Sequence, residues 1–344
     1  MTEPPTSQAS PSPIIPTQVA PSHVATLLCD PSFPALADRH LSRAREVLEA
    51  AQDPVWLDKG IAADIAFAPA AAIDCRARAE KLRDAIADAQ IDVIVQPLEG
   101  RRKKLLFIEM DKVLLGQNTL AEIAAVIGCA PQLAEINAKV AKGEIDYAAG
   151  LRDVFAFLQG RGTECLSQVL GKKMVMIPGA RVLVETMRAN GGTAALATLG
   201  FSCFAGPVAD KSGITEIVAN RLILENNKIA ALAEPVLDPA GKQADLQRLM
   251  AAQALPASAV LAVAHDLTDL ALLKDVGMGI AFRAEPAVAT AAHVRIDRGD
   301  LSALLYLQGY RREDFVTEAR RPLDASDWQR KYGAYEKAHE RTRF

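Results

Sequence analysis

The chain reads as an α/β protein, a doubly wound and mostly parallel sheet with a helical cap insertion, preceded by a smaller α+β unit. Three observations predict this. Two apolar runs, Leu105 to Ile108 and Ala259 to Val263, have the length and continuous hydrophobicity of parallel strands buried on both faces. Strand-like and helix-like segments alternate after residue 172, as a sheet with helical crossovers requires. Between residues 24 and 96 the order is instead strand, helix, strand, strand, helix, strand.

Taken in order, residues 1–21 are rich in Pro, Ser, Thr and Gln without periodicity, and such a segment buries too little apolar surface to offset its ordering entropy. A disordered tail is expected. Strands are predicted over Val24 to Cys29, Val55 to Leu57, Ile61 to Phe67 and Ile91 to Gln96, with helices over Ala35 to Ala51 and Cys75 to Ala89. This βαββαβ order over 22–98 predicts a ferredoxin-like regulatory or oligomerisation unit. The basic run Arg101-Arg102-Lys103-Lys104 is expected to be a solvated hinge. Apolar residues at helical spacing, Ile123, Val126 and Ile127, then Leu151, Val154, Phe155 and Leu158, predict a helical cap over 119–171. The core, 102–118 and 172–310, resumes with a helix over Gly179 to Asn190, a strand over Thr193 to Thr198, helices over Cys203 to Ser212 and Lys242 to Gln253, and the second apolar strand. Residues 311–344 form a charged tail, helical from Val316, with no assigned role.

Composition narrows the function. The 344 residues, half of them hydrophobic, exceed one average domain and supply two or three cores. The 39 basic and 42 acidic residues are mixed along the chain and leave a net charge of −3, so no nucleic-acid footprint is present. No apolar run reaches the roughly 18 to 20 residues that cross a bilayer, and Met1 to Pro5 lacks the flank of a secretory signal, so a cytoplasmic location without membrane contact is expected. The five cysteines are scattered without a C-x-x-C pair and read as core residues. Of five histidines, only His265 stands where chemistry is expected, at a strand end.

The two buried strands end in Glu109-Met110-Asp111 and Ala264-His265-Asp266-Leu267-Thr268-Asp269, and open α/β sheets hold their ligands at such carboxyl ends. Further runs are distinctive: Gly143 to Tyr147 followed by Leu151-Arg152, Ile177 to Ala180, Thr198 to Phe201, Ala219 to Leu222, Gly277 to Phe282, and Asp300-Leu301 through Gly309-Tyr310. Together, over nearly all of 24–310, they resemble the phosphoserine phosphatases of the haloacid dehalogenase (HAD) superfamily. The unit over 22–98 resembles the ACT-like domain that precedes the catalytic core in some members.

The resemblance implies hydrolysis of O-phospho-L-serine through an acyl-phosphate, with Mg²⁺ as cofactor. It also implies a departure from that chemistry. Where the family has Asp-x-Asp-Ser-Thr, with a nucleophile and an acid/base, this chain has Glu109 and Asp111 followed by Lys112 and Val113. Glutamate is one methylene longer, a displacement of about 1.5 Å, and errors near 1 Å cost on the order of a hundredfold in rate. Where the family's fourth motif begins Gly-Asp, with a metal-binding Asp, this chain has His265, a softer and uncharged donor. Three readings of it stay open: a structural histidine, a ligand for a softer metal such as Mn²⁺ or Zn²⁺, and replacement by the adjacent Asp266. The implied metal set is Glu109, Asp111 and His265, with Asp269 in support and Mg²⁺ affinity weakened.

The implied substrate residues are Asn118, in place of a substrate-sensing Glu; Arg152, a carboxylate clamp; Thr198, Leu199 and Gly200 at the phosphate loop; and Thr268. Leu199 is expected to crowd that loop. Lys242 matches the lysine that neutralises phosphoryl charge, so Glu109, Asp111 and Lys242 are the catalytic set. The expected function is a phosphoserine phosphatase of strongly reduced activity. The alternative is a non-catalytic relative that binds a small phosphorylated metabolite, forms a homodimer, or pairs with an active phosphatase.

Overall fold

The computed structural model describes residues 20–172 and 174–317. The expected tails, 1–21 and 311–344, fall largely outside them. Two sheets organise the chain. The first is built from β1 (His23–Leu28), α1 (Asp38–Val47), β2 (Val55–Asp58), β3 (Ala62–Phe67), α2 (Cys75–Ile86) and β4 (Asp92–Pro97), the order expected from the sequence. Its strands run β2-β3-β1-β4, every neighbouring pair antiparallel. The helix α2 starts where Asp74 accepts hydrogen bonds from the amides of Arg76 and Ala77, satisfying two of the free N–H groups of its first turn.

The second sheet has six parallel strands in the order β12-β11-β10-β5-β6-β7. They are β5 (Leu105–Glu109), β6 (Thr193–Phe201), β7 (Glu216–Asn220), β10 (Val260–Ala264), β11 (Met278–Phe282) and β12 (Val294–Ile296). All residues of β5, β10 and β11 are buried, as continuous apolar runs require of strands covered on both faces. Helices α7 (Ala180–Ala189), α8 (Ser202–Ser212), α9 (Pro239–Ala252), α10 (Leu270–Lys274), α11 (Pro286–Ala291) and α12 (Ala303–Leu307) accompany this sheet. From β5 the chain winds outward through β6 to β7, then returns to β10 on the other side. This reversal opens a crevice at the carboxyl ends of β5 and β10.

Between β5 and α7, where the periodicity predicts a helical cap, lie four helices, α3 (Thr119–Ile127), α4 (Ala130–Ala141), α5 (Tyr147–Ala156) and α6 (Glu164–Lys172). A hairpin, β8 (Leu222–Glu225) with β9 (Lys228–Leu232), joins them through the isolated bridge between Gly162 and Lys228. No helix among the described residues is long and apolar enough to cross a membrane.

The basic run is only in part the solvated hinge expected of it: Arg102 and Lys104 are exposed, while Arg101 and Lys103 are engaged in the fold. Arg101 donates to Asp64 Oδ2 at 2.8 Å and to the carbonyls of Leu307 and Tyr306, while Thr26 donates to the other oxygen of Asp64. Arg102 lies over the Tyr310 ring, and Lys103 is 8% exposed. Asp92, also buried, accepts hydrogen bonds from the amides of Asp297, Arg298 and Gly299. The first sheet is therefore stitched to the second by buried polar contacts. Their partners are some 40 to 200 residues away, so sequence spacing gave no sign of them.

Candidate active site

At the tip of β5 the chain makes a tight turn through Met110–Leu114, with Lys112 in the left-handed region at φ 63°. The turn exposes the amide N–H groups of Met110 and Asp111, and both point at the side chain that precedes them. Glu109 Oε1 accepts from Met110 N at 2.8 Å and from Asp111 N at 3.3 Å. Its other oxygen, Oε2, accepts from the ammonium of Lys242. Lys242 arrives on α9, whose start is fixed by Asp238 capping Gly241 N. The same ammonium meets both oxygens of Asp269, at 2.8 and 3.0 Å, in the turn after β10. Glu109, Lys242 and Asp269 are all buried.

Asp111 lies beside them. Its Oδ2 accepts from Thr119 N at 3.1 Å and Thr119 Oγ at 2.9 Å, and its Oδ1 is buried with no partner. Burial pushes this carboxyl up to about 6; the two Thr119 bonds pull it down and nearby Asp266 raises it again. Burial also holds Glu109 above the usual carboxylate range, against the pull of Lys242. Lys242 stays charged because Asp269 and Glu109 overcome the burial that opposes it.

The phosphate loop expected at Thr198 to Gly200 closes over this group. Thr198 Oγ accepts from Gly200 N at 3.1 Å. A Cβ at Gly200 would come within 3.2 Å of Thr119 Oγ and 3.3 Å of Thr198 Oγ, so a side chain here would push those two hydroxyls aside by a few tenths of an ångström. The crowding expected of Leu199 does not arise, because its isobutyl group is buried in the apolar layer with Phe107, Val218 and Leu246. The Leu199 carbonyl accepts from Asn220 Nδ2 at 2.8 Å and from the Tyr147 hydroxyl at 3.3 Å.

Tyr147 and Asn220 were not singled out from the sequence. Tyr147 reaches in from the first residue of α5, and burial followed by the charges of Glu109, Asp111, Asp266 and Asp269 raises its phenol. Its place in the run Gly143 to Tyr147 was the only available signal. Thr119, which orients Asp111, was hidden behind Asn118.

Other expected residues are not assembled. Asn118 is the N-cap of α3, accepting from Ala121 N at 2.9 Å, which gives it a structural task. Arg152 is half-exposed and forks onto Glu234 through Nε to Oε1 at 2.9 Å and Nη2 to Oε2 at 3.0 Å. Thr268 is exposed in its turn. His265 is half-buried with Nδ1 3.3 Å from the Phe282 carbonyl, and Asp266 is half-buried beside it.

The expected metal set of Glu109, Asp111, His265 and Asp269 likewise does not come together. No three His, Cys, Asp or Glu side chains among the described residues are arranged to hold a metal ion. Mg²⁺ demands near-octahedral oxygen at about 2.0 to 2.1 Å, whereas an ammonium bridges Glu109 and Asp269 and both oxygens of Glu109 are already engaged. This arrangement does not fit the cation.

No protein-family model matches the chain. A phosphoserine phosphatase of Albidiferax ferrireducens is 32% identical over 217 residues, covering 61% of this chain and 92% of that protein. The chain belongs to the phosphoserine phosphatase family. A phosphoserine phosphatase of Streptomyces coelicolor is 30% identical over 242 residues, covering 68% of this chain; the match spans only 59% of that longer relative. The crystal structure of a HAD-family hydrolase from Salmonella enterica serovar Typhi superposes with a TM-score of 0.72, covering 83% of this chain and 98% of that one at 20% identity. That likeness establishes the HAD-like fold, from the first sheet through the second.

Proposed function

We propose that this phosphoserine phosphatase-family protein hydrolyses O-phospho-L-serine only at a strongly reduced rate. One observation carries the proposal: the carboxylate in the nucleophile's place is folded back onto its own turn. Attack on phosphorus needs one oxygen of Glu109 presented to the substrate. Freeing Oε1 breaks the hydrogen bonds from Met110 N and Asp111 N, and freeing Oε2 breaks the one from Lys242; at about 1.5 to 3 kcal/mol for each charge-assisted bond the rate loss is roughly 10 to 10⁴. The N–H groups that Glu109 occupies also point where an anion would be received, so the phosphoryl group must displace the side chain before it reacts.

The acid/base is better prepared. Asp111 has one oxygen held by Thr119 and one free, and a pKa near 6 suits proton transfer close to neutrality. Residual turnover follows from this, and Lys242 would neutralise charge on the transferring group.

The test is phosphate release from O-phospho-L-serine by the native chain beside the double variant Glu109→Asp with His265→Asp, with Mg²⁺ and with Mn²⁺. A gain of a hundredfold or more in the variant is expected. Native turnover typical of a phosphatase, or no gain in a folded variant, would sink the proposal.

A second reading, a non-catalytic member that binds a phosphorylated metabolite or pairs with an active phosphatase, is favoured by the Arg152–Glu234 fork and the unassembled metal set. Saturable stabilisation by phosphoserine without hydrolysis would select it.

A further inference from the structure

A cleft of about 500 Å³ lies where the first sheet meets the second, walled by α2 and β4 on one side and by the starts of β11 and β12 on the other. It sits at the amino ends of the parallel strands. Glu109 and Asp269 lie at the carboxyl ends, roughly 16 Å away along a five-residue strand. The cleft is thus separate from the candidate active site.

Its wall holds a buried cation, Lys103, with no counter-ion among the described residues. Lys103 Nζ donates to the carbonyls of Gly100 at 2.8 Å and Ser258 at 2.9 Å, and both of those residues line the cleft. An ammonium has three N–H donors, so one is unspent. Among the described residues no carboxylate pairs with it, and burial pushes its pKa down. Beside it stands His293, whose Nδ1 accepts from Gly279 N at 3.0 Å, leaving the proton of the neutral ring on Nε2. The charge of Lys103 is felt at that ring. Arg76 lines the opposite wall, tethered through one Nη2 bond to the Ala289 carbonyl. Of the two acidic residues in the lining, Asp74 keeps its charge with Oδ1 on the amides of Arg76 and Ala77, and Glu99 is exposed at the mouth; neither forms an ion pair with Lys103 or Arg76 among the described residues. Val95, Pro97, Met278 and Val294 make the rest of the lining apolar.

A buried charge is normally paired, and an uncompensated ammonium beside a second positive group is costly unless an anion completes it. We propose that this cleft binds a small organic anion, its charged head on Lys103, Arg76 and His293 and its short apolar body on Val95 and Met278. Because the walls belong to both sheets, the bound molecule bridges them and makes the first sheet a ligand-responsive unit.

The test uses the full chain and two probes of equal length and opposite charge, butyrate and butylammonium, with inorganic phosphate as a third. The readouts are the His293 ring resonances and the thermal midpoint. Butyrate is expected to shift His293 saturably and raise the midpoint, and butylammonium to do neither. Lys103→Met should weaken butyrate at least tenfold. Since that change also removes two carbonyl contacts, Arg76→Gln is the second variant; it loses one carbonyl bond, to Ala289, and is expected to weaken binding about threefold to tenfold, with the ligand-free midpoint falling less than in Lys103→Met. The proposal is overturned if butyrate produces no saturable shift, if butylammonium acts equally, or if both variants bind as the native chain does. Binding of phosphate without butyrate would overturn its apolar half.

Discussion

Asp92 and Asp111 are both buried aspartates beside a strand end, and the fold treats them in opposite ways. Asp92, opening β4, accepts three amide hydrogen bonds from a single turn, 297–299, and so satisfies its charge while locking the first sheet to the second. Asp111, two residues past β5, has one oxygen satisfied by Thr119 and the other by nothing. Burial raises both carboxyls, yet only for Asp92 do three amides pull back. A carboxylate that serves structure is saturated by its own chain. One that serves chemistry keeps an oxygen in reserve, at a cost in stability.

The comparison can be broken at three points. The largest effect is expected from Asp92→Ala, which leaves the buried N–H of Gly299 without its acceptor at about 1 to 3 kcal/mol and the part-buried ones of Asp297 and Arg298 at less; urea unfolding should show a loss of about 3 to 4 kcal/mol. A loss below about 1 kcal/mol would mean that the turn does not depend on Asp92.

Next comes Asp111→Asn, whose effect should depend on pH. The folded-state pKa of Asp111, about 6, lies above its ordinary value of 3.8, so the native state holds the proton more tightly than the unfolded chain does. Its stabilising contribution is therefore complete below pH 3.8 and is lost as the pH rises through about 6. Asparagine does not titrate. The variant should match the native chain near pH 4 and exceed it by up to about 3 kcal/mol above pH 7, as read from unfolding midpoints across pH. A difference independent of pH would remove Asp111 from its proposed role.

Arg152→Ala should change least. Its fork with Glu234 is half-exposed, where water and salt screen the pair and side-chain ordering offsets most of its attraction. The midpoint of the free protein should barely move. Loss of a phosphoserine-induced shift in the same variant would show that Arg152 leaves Glu234 to meet substrate.

Much of this arrangement was legible in the sequence because it depends on local pattern. The βαββαβ order followed from alternation and helical spacing, and β5 and β10 from their continuous apolar runs. The helical character of 119–171 followed from spacing at two stretches, which became α3 and α5, but its division into four helices did not; Asp146 at the start of α5 caps Ala149 N as its residue type favours. Strands β7, β8, β9, β11 and β12 were not anticipated, since elements of three to five residues owe their conformation to neighbours in the sheet rather than to their own composition.

In the candidate site, sequence position brought Glu109, Asp111, Lys242 and Asp269 to the fore, and the structure gathers them. It could not show that Glu109 would turn back onto its own amides, because that depends on a backbone turn with Lys112 at positive φ. Nor could it show that Glu234 would hold Arg152, or that Tyr147 would reach the Leu199 carbonyl, since these partners lie 82 and 52 residues apart. In the run 101–104 the expectation of solvation holds for Arg102 and Lys104, which are exposed, and fails for Arg101 and Lys103, whose acceptors lie far along the chain.

The ammonium of Lys242 joins groups 133 and 27 residues away along the chain. It can leave water only once strands from both halves of the parallel sheet and the α9 crossover have converged, so sealing this centre belongs to the final stage of folding. The amide hydrogens of Met110 and Asp111 beneath it are then shielded by a contact that closes a loop of 133 residues, so their exchange with solvent should be slower than that of amides held by local turns.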